Sequence, residues 1–284
     1  MMIAASTFPL KQRAAAVLLA TLAALSGAAS AADPAPAAAA PPPALDWTNS
    51  GNVALVSDYL FRGISQSQGK PTAQATLDFV HVSGFYLGLF GSGVSHAAYN
   101  NGGGAEIDVY GGYRHPLNET SNIDAGLVTY WYPGAHYAAG GEDIKYHTQD
   151  AKLGVNIGSF NAYGWVTLSK RWFGFAVDPY SGKLVDTRGT LYGEVNWNPE
   201  LAPGLTLNLH AGKQNVRNLA AFNYVDAKVG VTKTWDSWAV AAAAVYNSGD
   251  ASKNGTPLWT FFDADGSSRN VVKTRLQVVA TRNF

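Results

Sequence analysis

Thr72-Ala73-Gln74-Ala75-Thr76-Leu77-Asp78-Phe79 alternates strictly, with Ala73, Ala75, Leu77 and Phe79 opposite Thr72, Gln74, Thr76 and Asp78. A period of two is the period of a β-strand whose two faces meet different surroundings. The pattern recurs along the chain from Ser50 onward. Val53 and Leu55 share a face with Tyr59 and Phe61, against Asn52, Asp58 and Arg62. Ala105, Ile107, Val109 and Tyr113 oppose Glu106, Asp108, Tyr110 and Arg114. Further runs lie around Ile123 to Trp131, Ala151 to Ile157, Leu191 to Trp197, Leu205 to His210 and Val225 to Thr232. Val271 to Phe284 closes the series, with Val272, Leu276, Val278 and Phe284 opposite Lys273, Arg275, Gln277 and Asn283. Weaker matches at Phe85 to Ser92, Phe160 to Ser169 and Trp238 to Tyr246 bring the expectation to about twelve strands, with ten to fourteen open.

The connections separate two kinds of architecture. Brief ones near Ser83-Gly84, His115 to Asn122, Gly158-Ser159, Asn198 to Gly204 and Thr234 to Ser237 alternate with long ones. The long ones are Ile64 to Lys70, Val94 to Gly104, Pro133 to Lys145, Arg171 to Asp186, Lys213 to Phe222 and Asn247 to Asn270. Short turns at one end and long loops at the other mark a transmembrane antiparallel up-and-down β-barrel, all-β in class. A ten-residue strand tilted by ~40° rises about 25 Å, the height of the hydrocarbon band.

Composition agrees. Of 284 residues only 14% are charged, against 30 Gly, 8 Trp, 14 Tyr and 12 Phe. A water-soluble globule ordinarily has about a quarter of its residues charged. Past residue 31 no apolar run approaches the roughly 20 residues of a membrane helix. The absence of cysteine excludes disulfides, thiolate metal sites and a cysteine nucleophile. Balanced charge, 20 basic and 20 acidic residues, gives no surface for nucleic acid.

Lys11 and Arg13 precede an apolar stretch from Ala14 to Leu25 and the small-x-small triplet Ala29-Ser30-Ala31. Residues 1–31 therefore read as a secretory signal peptide. The Ala/Pro-rich residues 32–48 read as a periplasmic tether and 49–284 as the outer-membrane barrel. Phe79, Phe85, Tyr113, Trp197, Trp235, Trp238 and Phe284 fall near the short-turn end, and Tyr59, Phe61 and Trp131 near the long-loop end, as two interfacial girdles would. Arg282, among lipid-facing positions, departs from that pattern and is expected to snorkel to the interface.

The stretch Asn52-Val53-Ala54-Leu55-Val56-Ser57-Asp58-Tyr59-Leu60-Phe61-Arg62-Gly63-Ile64-Ser65-Gln66-Ser67, followed by Gly69-Lys70-Pro71, resembles the opening of the TorF-type porin family of proteobacteria. Gly84-Phe85-Tyr86-Leu87-Gly88, Glu106 to Tyr113 and Tyr130-Trp131-Tyr132-Pro133-Gly134 are similar to the same family. The resemblance covers about Gly51 to Phe284 and implies an outer-membrane barrel that passes small solutes. It transfers no catalytic or binding residue. The terminal Phe284 resembles the signal by which such barrels engage the barrel-assembly machinery.

Twelve strands about 4.8 Å apart close into a backbone cylinder roughly 24 Å across, leaving about 10 Å inside the side chains. Lumen and selectivity candidates are the inward charges Asp58, Arg62, Glu106, Asp108, Arg114, Lys152, Glu194, Lys228, Lys273 and Arg275, with cross-strand pairing as their ordinary structural use. Closure places Lys273 and Arg275 beside Asp58 and Arg62, which predicts a basic seam in a mildly acidic interior. The expected partners are outer-membrane lipid and small polar solutes or ions passing by diffusion.

Two rival functions remain open at this level. His81-Val82-Ser83 has the His-x-Ser spacing of some barrel lipases, but the topology puts it at a periplasmic turn. A plugged barrel that displays its loops is the other. No cofactor or metal is expected: the six histidines lack HExxH spacing, and Gly88 to Gly93 has the wrong spacing for a phosphate loop.

Overall fold

The computed structural model describes residues 46–262 and 266–284. The segment read as a signal peptide, with Lys11, Arg13, Ala14 to Leu25 and Ala29-Ser30-Ala31, lies outside the described residues. So does most of the tether.

Twelve antiparallel strands close into a barrel. They are β1 (Trp47–Val56), β2 (Thr72–His81), β3 (Phe85–Gly93), β4 (Ala105–Asn118), β5 (Ser121–Trp131) and β6 (Thr148–Ile157). The second half comprises β7 (Phe160–Thr167), β8 (Leu191–Trp197), β9 (Leu205–Asn215), β10 (Tyr224–Trp235), β11 (Trp238–Asn247) and β12 (Arg275–Asn283). Each pairs with its sequence neighbour, and β12 returns to β1 through Asn52↔Asn283 to Val56↔Val279. β1 begins at Trp47, inside the segment assigned to the tether. No helix of the described residues is long and apolar enough to cross a membrane.

The alternation becomes a wall with two chemistries. Outward positions carry large apolar side chains facing away from all protein: Leu276 is 80% exposed, Leu55 68% and Leu153 61%. Such a belt is stable only against hydrocarbon, and closure leaves no strand edge to be solvated there. Phe79, Phe85, Trp197, Trp235, Trp238 and Phe284 are exposed around the short-turn end, joined by Trp47. Phe85 lies against Tyr113 with ring centroids 4.9 Å apart.

Short turns have local chemistry. Ile157-Gly158-Ser159-Phe160 and Trp235-Asp236-Ser237-Trp238 are tight hairpins with positive φ at Gly158 (56°) and Asp236 (49°). Primed turns of this kind match strand twist. The run from His115, expected as a turn, instead continues β4 to Asn118, and Pro116 is accommodated at a register shift between Pro116 and Asn118. A bulge is where a strand tolerates a missing N–H. Gly51 has a packing reason: a Cβ there would lie 2.6 Å from the Phe284 ring, which covers the β1–β12 seam. Gly51 and Phe284 exchange two backbone hydrogen bonds of 3.0 Å.

The sheet also contradicts part of the sequence reading. β1 ends at Val56, so Tyr59 and Phe61 are not lipid-facing; both are buried inside the barrel mouth. Chain direction changes because Asp58 turns inward to gather the loop, whose tip is a hairpin pairing Leu60–Phe61 with Ile64–Ser65. β12 starts at Arg275, so Val272 is buried in the mouth and Lys273 is exposed in the preceding loop.

Every long loop contributes to an aromatic core across that mouth. Tyr59 and Phe61 follow β1, Tyr99 follows β3, Tyr132 follows β5, Trp172 and Phe173 follow β7, Phe222 follows β9 and Trp259 follows β11. Trp259 is 1% exposed and meets Trp172, Phe222 and Tyr224 edge-on at centroid distances of 6.3, 5.4 and 5.6 Å. Tyr99 stacks on Tyr132 at 4.0 Å and donates its hydroxyl to Gln66 Oε1. Burial pushes both phenols well above their usual range, which keeps them neutral donors.

Candidate functional site: the lumen and its infolded hairpin

Asp58 organises the loop between β1 and β2. Its Oδ1 accepts hydrogen bonds from Ser65 Oγ (2.5 Å), Ser67 Oγ (3.0 Å) and the Gly69 amide (3.2 Å). Its Oδ2 pairs with Arg275 Nη1 of β12 at 3.1 Å, and its carbonyl accepts from Gln277 Nε2 at 2.8 Å. A carboxylate serving three donors and one guanidinium fixes the loop root to the closing strand.

From that root the hairpin crosses the lumen. Arg62 takes φ 49° and Gly63 φ 73°, the left-handed pair at the hairpin tip. Arg62 Nη2 bonds Asp150 Oδ2 of β6 at 3.0 Å, and Nη1 reaches Gln214 Oε1 of β9 at 3.4 Å. The guanidinium lies 4.5 Å from the Tyr192 ring centroid, 4.9 Å from Phe61 and 5.4 Å from Trp165. Gly63 touches β10 so closely that a Cβ would stand 2.6 Å from Asp226 Cβ. Strands β6 to β10 form the wall opposite β1, so the hairpin is a strut through the bore. Tyr59, near the root, donates to Glu106 Oε1 of β4 at 3.2 Å.

Two polar networks line the wall below. Asp124 accepts from Lys152 Nζ at 2.8 Å and Tyr86 Oη at 2.8 Å, and faces Arg114 Nε at 3.6 Å; the Arg114 guanidinium lies 4.3 Å from the Tyr86 ring centroid. On the other side His210 Nε2 contacts Asp226 Oδ2 at 2.7 Å and its Nδ1 lies 3.6 Å from Glu194 Oε2. Trp165 Nε1 donates to Glu194 Oε1 at 2.8 Å. Lys228 pairs in register with His210 and joins Arg62, Glu194 and Asp226 around a cavity beneath the hairpin. Asp108 points inward from β4 beside Glu106.

Of the sequence candidates, nine lie in the lumen or on its strut. Lys273 does not: it is exposed in the loop before β12. The expected basic seam is also replaced. Arg275 does meet Asp58, but Arg62 is carried across the bore to Asp150, because the chain leaves the sheet at Ser57. The reading missed Tyr86, Trp165, Tyr192, His210 and Gln214. Tyr192 and His210 stand on the polar face of runs that the same period defines, so weighing uncharged polar side chains would have found them; Tyr86 and Trp165 fall in the weaker runs, and Gln214 in the stretch expected as the long connection Lys213 to Phe222, which the strand Leu205–Asn215 instead enters.

His81 Nδ1 and Ser83 Oγ are 2.7 Å apart, and Ser83 N donates to the same nitrogen at 3.2 Å. That closes an exposed turn; among the described residues no carboxylate bonds His81, so the pair lacks the orienting acid of a triad.

Network depth predicts unequal costs. Lys152→Gln should destabilise the folded barrel by about 3 kcal/mol, since it strands Asp124 without its closest cation. Arg114→Gln, removing a longer and partly exposed contact, should cost about 1 kcal/mol or less. Urea titration of the refolded variants in lipid measures the difference; equal midpoints would contradict the network assignment.

A closed barrel with an apolar belt, a charged lumen and an infolded loop defines a membrane-spanning β-barrel of the porin fold class. The chain belongs to the bacterial protein family of unknown function designated Gcw_chp, whose family model matches residues 39–282. The NanC porin structure is similar in fold at TM-score 0.50 and 8% identity, covering 83% of this chain and 98% of that one. The KdgM porin covers 83% of this chain and 99% of its own at 10% identity and TM-score 0.45. No curated protein matches the sequence.

Proposed function

We propose that the protein is an outer-membrane channel through which ions and small polar solutes diffuse, its bore set by the hairpin at residues 60–65. The observation that carries this reading is the distribution of ionisable groups. Charges of both signs line a barrel whose outside is apolar, and such groups are stable inside only with water or partners. The strut narrows the bore and brings Arg62 over aromatic rings, the kind of charged constriction that selects solutes. The TorF-type resemblance of residues 52–67 supports the same reading, since that block builds the strut.

In the same proposal residues 1–31 are removed as a signal peptide, the remaining residues before β1 form a periplasmic tether, and Phe284 engages the barrel-assembly machinery. The protein acts as no enzyme and uses no cofactor.

Refolded protein in a planar bilayer under a salt gradient should give discrete conductance steps. Arg62→Gln should shift the reversal potential toward cations, because Asp150 then stands in the bore without its guanidinium. Silence from protein that is folded and inserted would overturn the channel. It would favour a second reading, a plugged barrel, which the aromatic core drawn from every long loop supports.

A further inference from the structure

The outer wall carries an apolar depression. In register across six strands run Trp238, Arg282, Val53, Ala75, Gly91 and Ile107, all facing outward. The small residues Ala73, Gly93 and Ala105 widen this row into a groove of about 620 Å³ with an almost wholly apolar surface. The next row toward the short turns is bulky, with Leu77, Leu89 and Val109 forming a ridge.

Its path suits a lipid chain. Five strand spacings of about 4.8 Å make the row roughly 24 Å long, and a ~40° strand tilt makes it climb about 15 Å, half the hydrocarbon thickness. Trp238 opens β11 at the short-turn end and Ile107 lies near the long-loop end of β4. The groove therefore starts at the short-turn interface and climbs the wall toward the long-loop end.

Its lower end holds Arg282. The guanidinium sits 5.5 Å from the centroid of the Trp238 ring and bonds the Asn283 carbonyl at 3.2 Å. Among the described residues no carboxylate pairs with it. An exposed, planar cation at an interface, flanked by a chain-length apolar groove, complements a phosphate with an acyl tail.

We propose that this groove binds one anionic phospholipid of the leaflet at the short-turn end, its phosphate on Arg282 and one acyl chain along Val53, Ala75 and Gly91. The site needs the barrel to be inserted in a membrane but not to conduct, so an inserted, silent barrel leaves it intact.

The test uses heat-modifiable, folded protein reconstituted in equal amounts of phosphatidylglycerol and phosphatidylethanolamine. Native mass spectrometry after mild extraction should find one phosphatidylglycerol retained in preference. Arg282→Gln should reduce that preference about fivefold, the effect of one basic residue at an anionic surface, and Arg282→Lys should restore part of it. Gly91→Leu should lower retention of both lipids by filling the groove; a Cβ there meets only the Glu106 carbonyl, at 3.9 Å, so the substitution fits the wall. Gly164→Leu, equally roomy on β7, should change neither. Equal retention of the two lipids by the parent protein, or an undiminished preference in Arg282→Gln, would overturn the site. A dimer that Gly91→Leu dissociates would assign the groove to a second copy and overturn it too.

Discussion

Asp58→Ala combined with Arg62→Ala should raise single-channel conductance several-fold over the parent barrel, with long-lived open steps. The two substitutions release the root and tip of one strut. Asp58 holds the root through Ser65, Ser67, Gly69 and Arg275, and Arg62 holds the tip at Asp150. Breaking a buried ion pair costs about 3 kcal/mol or more, so each loss should favour the displaced hairpin by roughly a hundredfold. Asp58→Ala alone leaves the tip anchored and should give flicker between two step sizes. Asp58→Asn keeps an acceptor for Ser65 and Ser67 while losing charge toward Arg275, so its open fraction should be intermediate. Steps of parental size and lifetime in the double variant would show that the hairpin does not set the bore.

Trp259→Ala should uncouple the mouth from the wall. This side chain touches Trp172, Phe175, Phe222 and Tyr224, so its removal opens a large void among residues from several loops. Phe or Trp truncation in a core costs about 3–5 kcal/mol. The strands are tied to one another by backbone ladders that Trp259 does not join, so loss is expected to be local. Limited proteolysis within residues 168–190 and 248–262 should accelerate about a hundredfold or more while heat modifiability of the barrel persists. Trp259→Phe should fall between. Unchanged cleavage would remove the mouth core as a cooperative unit, and collapse of the whole barrel would show that mouth and wall are one unit.

Wall, strut and mouth core all draw on residues 52–67. Val53 and Leu55 belong to the lipid belt, Asp58 ties the loop to β12, and Arg62-Gly63 reaches the opposite wall. A strand, an anchor and a constriction are encoded within one short stretch. Gly63 shows the constraint sharply: its positive φ disfavours a side chain, and the approach to Asp226 leaves no room for one.

The sequence by itself determined the barrel, a strand number near twelve and the ends at which short and long connections lie, and the closed sheet settled the number at twelve. Side-chain facing in a strand repeats every two residues, so the pattern Thr72 to Phe79 carries its inside and outside locally. Even here the local rule overran its range: read past Val56, it sent Tyr59 and Phe61 to the lipid, and read back past Arg275, it sent Lys273 to the lumen. Only the tertiary structure decided where the long loops go. Arg62 and Asp150 are 88 residues apart, and Arg62 and Gln214 are 152 apart; no periodicity connects such positions. They meet because closing the sheet brings β6 and β9 opposite β1, and a buried guanidinium is stable only where that distant wall supplies a carboxylate and aromatic faces.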